Sequence, residues 1–205
     1  MNILPASPAD PYADRCLVDE ATHRSLTLCR AIISNPTTDP NTHISCLAKC
    51  VSLLDALPKV RAFDVRAARE IKQRQKVPSA TNTENPPSNA LAKPASGDLH
   101  VWPSGLMQIL IDRAIALKDL AAAYCQSGDA QNSAYSFDRA VILLESFVLA
   151  YPLLFTPPKE EDTKDFAINS LLQALGDWAD VEQSLGRNAK AAKIRMRTDK
   201  WRFRQ

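Results

Sequence analysis

Residues 106–151 read LMQILIDRAIALKDLAAAYCQSGDAQNSAYSFDRAVILLESFVLAY, and the fold is decided in this stretch. In its first half Met107, Leu110, Ile111, Ala114, Leu117, Ala121 and Tyr124 recur at steps of three or four, the adjacent Leu110 and Ile111 apart. That spacing lines one face of an α-helix. In its second half Ala134, Phe137, Val141, Leu144, Val148 and Tyr151 do the same. Between the halves stands Ser127-Gly128-Asp129. Gly128 supplies the left-handed backbone that ends a helix, and Asp129 has the short carboxylate that caps the next. Two helices joined by so short a turn fold back on one another as an αα-hairpin. Phe137, at the centre of the second stripe, is expected to pack against Leu117 and Ala121.

The same periodicity extends outward. Upstream, helices are expected near Asp14–Ser34, Thr42–Leu57 and Lys59–Lys76, with Asn35-Pro36, Asp39-Pro40 and Pro58 as breakers. Leu26, Cys29 and Ile33 carry the first stripe, with Leu28 and Ile32 beside it. Ile44, Leu47, Val51 and Leu54 carry the second, and Val60, Phe63, Ala67 and Ile71 the third. Downstream, a loop at Pro152–Glu161 leads to helices near Asp162–Leu185, with Ile168, Leu171, Leu172, Leu175 and Trp178 apolar, and Asn188–Phe203. Residues 77–103, with Pro78, Pro86, Pro87, Pro94 and Pro103 among Ser, Thr, Asn and Ala, read as a disordered linker. The expected organisation is all-α: a three-helix module at 14–76, the linker at 77–103, and a four-helix module at 104–205.

Composition supports helix and excludes several chemistries. The chain has 5 glycines in 205 residues, against a usual share of about 7%. Gly97, Gly105, Gly128, Gly176 and Gly186 are so spaced that the closest pair lies eight residues apart. A P-loop, a dinucleotide fingerprint and a nucleophile elbow all need glycines closer than that. His43, Cys46 and Cys50 share one helix face, but zinc takes four ligands and no second cluster completes the set, so they read as core and helix-start residues. Glu160-Glu161-Asp162 reads as a helix start, where negative charge meets the positive end of the dipole. Trp178, beside Gly176, reads as a core residue at a close helix crossing. No catalytic residue, cofactor or metal is expected, and the protein is read as a non-enzyme. Nothing resembles a signal peptide or a membrane span. Five cysteines, odd in number and placed in helices, read as reduced thiols of a cytoplasmic or nuclear protein.

The central hairpin resembles a tetratricopeptide repeat. The repeat's small pair, aromatics, turn glycine and alanine are matched by Leu120-Ala121, Tyr124, Gly128, Ser133, Phe137 and Ala140. A second hairpin around Leu175-Gly176, Trp178, Gly186 and Ala191 looks like a degenerate copy. The chain departs from the pattern in lacking the proline near Glu145. Its turn glycines, Gly128 and Gly186, are 58 residues apart, where about 34 is usual. Three-helix MIT domains share the same packing pattern. Either resemblance implies a groove that receives a partner's helix or peptide.

Charge is uneven. Lys59–Lys76 holds seven bases and two acids, and residues 187–205 hold eight bases and one acid, in a chain whose net charge is only +2. In the last helix Lys190, Lys193, Arg197, Lys200 and Arg204 form one stripe while Ala191, Ile194 and Trp201 form another. These observations point to a helical adaptor or scaffold that binds a protein partner, with the basic stripe as its candidate contact. An acidic protein is a natural occupant of that stripe. The rival expectation is a nucleic-acid-associated factor touching phosphates through residues 59–76 and 187–205.

Overall fold

The computed structural model describes residues 17–76, 105–154 and 161–203. Among them are seven helices and no strand: α1 (Glu20–Ile33), α2 (Pro40–Ala56), α3 (Pro58–Lys76), α4 (Leu106–Gln126), α5 (Ala130–Leu154), α6 (Glu161–Ser184) and α7 (Asn188–Arg202). The expected linker at 77–103 lies outside the described residues.

Short polar side chains set the helix starts. Asp19 accepts from the Thr22 amide at 2.9 Å, so α1 begins at Glu20 rather than at the expected Asp14. Asp39 accepts from the amides of Asn41 and Thr42, with Pro40 at the first helical position, where its missing N–H costs nothing. Asp129 caps α5 through the Asn132 amide at 3.1 Å. At the other end of α5 the expected loop at Pro152 is displaced, because the helix continues to Leu154. A proline in a final turn removes one donor from a ladder that is about to end.

The helices pack as adjacent hairpins, α1 with α2, α4 with α5, and α6 with α7. The last two hairpins share one turn. The Asp129 amide donates to Tyr124 O at 2.9 Å and Gly128 to Cys125 O at 3.1 Å; Arg187 donates to Glu182 O and Gly186 to Gln183 O, both at 2.9 Å. This double closure requires a left-handed residue, supplied by Gly128 at φ 83° and Gly186 at φ 74°. Across the first turn, the buried Ser133 hydroxyl donates to Ala121 O at 2.8 Å.

Side by side, α2 abuts α4, α3 lies along α5, and α5 abuts α6. One continuous core runs through them, from Leu17, Leu26 and Phe63 through Leu106 and Phe137 to Trp178 and Trp201. Leu47 and Val51 of α2 close a second patch against Leu117 and Leu120 of α4. The helices before and after residues 77–104 therefore bury apolar surface against each other. All six apolar positions expected on α5 are buried. On α4 the buried set is wider than the expected stripe, adding Leu106, Ile109 and Leu120, because α4 is covered by α2 as well as α5. On α1 the stripe itself is covered only at Leu26 and Cys29, while Leu28 and Ile32 face solvent.

A buried cation reinforces the seam. The Arg113 side chain of α4, 8% exposed, donates from Nε to Asp55 at 2.5 Å and from Nη1 to Asp64 at 2.8 Å. Arg139 of α5 adds a contact to Asp55 at 2.8 Å. The ends of α2 and α3 are thus tied by charge to α4 and α5. Burial raises the Asp64 carboxyl above its ordinary value, Arg113 opposes that rise and Asp55 adds to it.

Candidate functional site

The basic stripe of α7 divides when its residues are placed. Lys190 reaches Glu182 of α6 at 2.7 Å and sits 5.1 Å above the Trp178 ring. Arg197 holds Glu145 of α5 with both nitrogens of its fork, one at 2.6 Å, and Trp201 donates to the same carboxylate at 2.8 Å. Lys193 and Lys200 are exposed, and no described acid pairs with them. Arg204 lies outside the described residues. The other bases of this segment are engaged too: Arg187 with Glu182 at 3.3 Å, Arg195 with Asp180 at 3.1 Å, Arg202 with Asp199 at 3.6 Å.

Glu182 anchors the hairpin. Its side chain is fully enclosed and accepts from Trp178 Nε1 at 3.0 Å as well as from Lys190 and Arg187. Burial alone pushes this carboxyl up; the hydrogen bonds from Lys190 and Trp178, the Lys190 charge and the Arg187 contact more than offset it, holding the group below the ordinary glutamate range. Trp178 is a core residue whose indole N–H is satisfied.

Three of the described cysteines, Cys29, Cys46 and Cys50, lie on α1 and α2, and Cys125 lies on α4. Cys46 and Cys50 both meet Cys29, and burial with these thiol neighbours pushes Cys50 up to about 12 and raises Cys46. His43 lies close enough to Asp119 of α4 for its charge to act on that carboxyl. Among the described residues no cluster of His, Cys, Asp and Glu is arranged to hold a metal ion.

A groove opens where α4 and α6 both pack on α5 but touch one another little. It encloses about 420 Å³, with Phe137 as its floor, Ala122 and Cys125 on the α4 wall and Val181 on the α6 wall. Asp177 and Asp180 edge it. Crowding by the walls raises the Asp177 carboxyl above the aspartate range; Lys118 opposes this and Asp180 adds to it. Lys118 of α4 also donates to Gln173 of α6 at 3.0 Å.

The chain matches no family model, no curated protein and no solved structure. The meaning of the site therefore rests on its own chemistry: a concave apolar floor, an acidic edge and an exposed thiol. Periodicity located Phe137 but not this groove, which exists only because two helices separated by 34 or more residues are held apart by a third. No helix among the described residues is long and apolar enough to cross a membrane.

Proposed function

We propose that this protein is a non-catalytic helical adaptor, similar in design to tetratricopeptide-repeat proteins, whose α4–α6 groove receives a helix or peptide segment of a partner protein. The observation that carries the reading is the groove itself: concave, floored by Phe137 and walled by Ala122, Cys125 and Val181. The shared turn geometry at Gly128 and Gly186 supports the repeat-like design. Concave apolar sites with a few charged groups at the edge are the common form of recognition sites. The acidic edge favours a segment that places a base beside its apolar anchor.

A phosphate-tracking surface on residues 187–205 has less behind it, because Arg187, Lys190, Arg195, Arg197 and Arg202 each meet a carboxylate of the same chain. The test is affinity purification of the tagged protein from its native cells beside Cys125→Trp, which fills the groove from an exposed position. The reading expects a partner that is recovered with the wild type, lost with Cys125→Trp, and retained when salt is raised. A partner retained by Cys125→Trp removes the groove as its seat and overturns the reading, and one released steeply by salt returns the nucleic-acid reading.

A further inference from the structure

A second surface lies on α5, apart from the α4–α6 groove and independent of it. Tyr135, Ile142 and Leu149 are 62%, 49% and 37% exposed. They stand seven residues apart, so a helix turning about 100° per residue sets them in one outward stripe, roughly 21 Å long. Arg139 falls on one side of this stripe and reaches Asp55, where α2 gives way to α3. Glu145 falls on the other side and holds Arg197 and Trp201 of α7. The stripe is thus an open seam between α3 and α7, with a border fixed by ion pairs. The Arg139 guanidinium also sits 6.0 Å from the Tyr135 ring centre, which steadies the ring at one end.

The helices on either side carry bases that no described acid neutralises, Arg66 and Arg69 on α3 and Lys193 and Lys200 on α7. Large apolar side chains at heptad intervals are the seam along which one helix accepts another. Bases beside such a seam select acidic flanks on the incoming helix and repel a second copy of the same surface. Asp138, which also borders the stripe, leaves one place for a base and so sets register.

We propose that the Tyr135–Ile142–Leu149 stripe of α5 docks an amphipathic helix of a partner protein whose apolar seam is flanked by acidic residues. Even spacing along a single helix suits a helical partner better than a bilayer, which asks only for apolar tips and positive charge.

The test uses the full chain and two labelled synthetic peptides of 21 residues, each with a heptad leucine seam, one flanked by glutamates and one by lysines. Fluorescence anisotropy should show the glutamate peptide binding at least about tenfold tighter than the lysine peptide, a difference of about 1.4 kcal/mol. Ile142→Asp should weaken it about tenfold or more, Lys193→Ser with Lys200→Ser several-fold, and Cys125→Trp not at all. Melting curves verify that Ile142→Asp folds; if it does not, Tyr135→Ser takes its place. Equal binding of the two peptides, full binding by the stripe variant, or no binding of the glutamate peptide overturns the proposal. Sedimentation with phosphatidylserine vesicles that depends on Ile142 overturns it in favour of a lipid surface. A dimer abolished by Ile142→Asp overturns it in favour of a second copy.

Discussion

Arg113 and Glu182 are both buried charges, yet Arg113 takes its acids from residues 58 and 49 positions away, whereas Glu182 takes its donors from within eight positions. The polarity is also inverted, a cation ringed by carboxylates in one case and a carboxylate ringed by donors in the other. The difference separates two jobs that apolar packing leaves undone. Around Glu182 the charges are satisfied as soon as α6 and α7 close on each other, so the cluster belongs to one hairpin. Around Arg113 they are satisfied only when α2 and α3 arrive on α4 and α5. Apolar contact is tolerant of sliding, while a fork-shaped guanidinium between two carboxylates is not. The Arg113 cluster therefore fixes where the first helices sit, and the Glu182 cluster fixes how one turn closes.

The comparison breaks most severely at the element both clusters depend on. Phe137 is 2% exposed, in the first half of α5. Phe137→Ala should lower unfolding free energy by about 3–5 kcal/mol. Denaturant titration should show one cooperative transition moved to a lower midpoint, and an unmoved midpoint would mean that the shared core does not unite the two regions. Arg113→Met comes next, at about 3 kcal/mol, because the buried cation is removed and the partly buried Asp55 and Asp64 lose their counter-charge. Its distinguishing sign is spatial. Amide exchange should accelerate in α1–α3 more than in α6 and α7, and equal acceleration everywhere would erase the distinction between the two clusters.

Glu182 sharpens the contrast through pH. Its folded value is depressed below the ordinary 4.5, so its contribution is fully present above that value and is lost as pH falls through the lower folded value. Asp64 has the opposite sign: its folded value is raised, so its ionisation costs stability as pH rises out of the acid range. Glu182→Gln should thus flatten the acid limb of the stability profile, and Asp64→Asn should steepen it. The smallest effect belongs to Lys193→Ser with Lys200→Ser, exposed and without described acid partners. Thermal melting should register a change within about 0.5 kcal/mol. A larger loss would make those lysines part of the scaffold rather than of a surface.

How much of this was legible depends on whether the cause was local. The α4–α5 hairpin was readable because its stripe, its turn glycine and its cap are contiguous, and Gly128 and Asp129 do what their backbone and side-chain chemistry require. The ends of α1 and α5 were less so, since Asp14 and Asp19 are equally good caps by residue type and a proline near a helix end stops it only approximately. The basic stripe of α7 was visible as charge, but its division was not. Lys190 and Arg197 are drawn to Glu182 and Glu145, and nothing local to α7 names those acids. Arg113 did leave a trace, a single base within the apolar run from Leu106 to Leu117. Such a base has to be solvated by something, although its acids are remote. The α4–α6 groove left none, because it is a gap between helices rather than a property of either.

The thiols divide along the same line between enclosed and open. Cys50 is buried and its proton is held up to about 12, and Cys46 is raised as well, whereas Cys125 stands exposed on the groove wall. Alkylation proceeds through the thiolate. A maleimide or iodoacetamide reagent offered to the folded protein will therefore discriminate among these three, modifying Cys125 long before the pair on α2. An occupant of the groove should slow that modification, so the rate at which one sulfur is consumed becomes a reporter of binding that requires no engineered label and works whatever the occupant is.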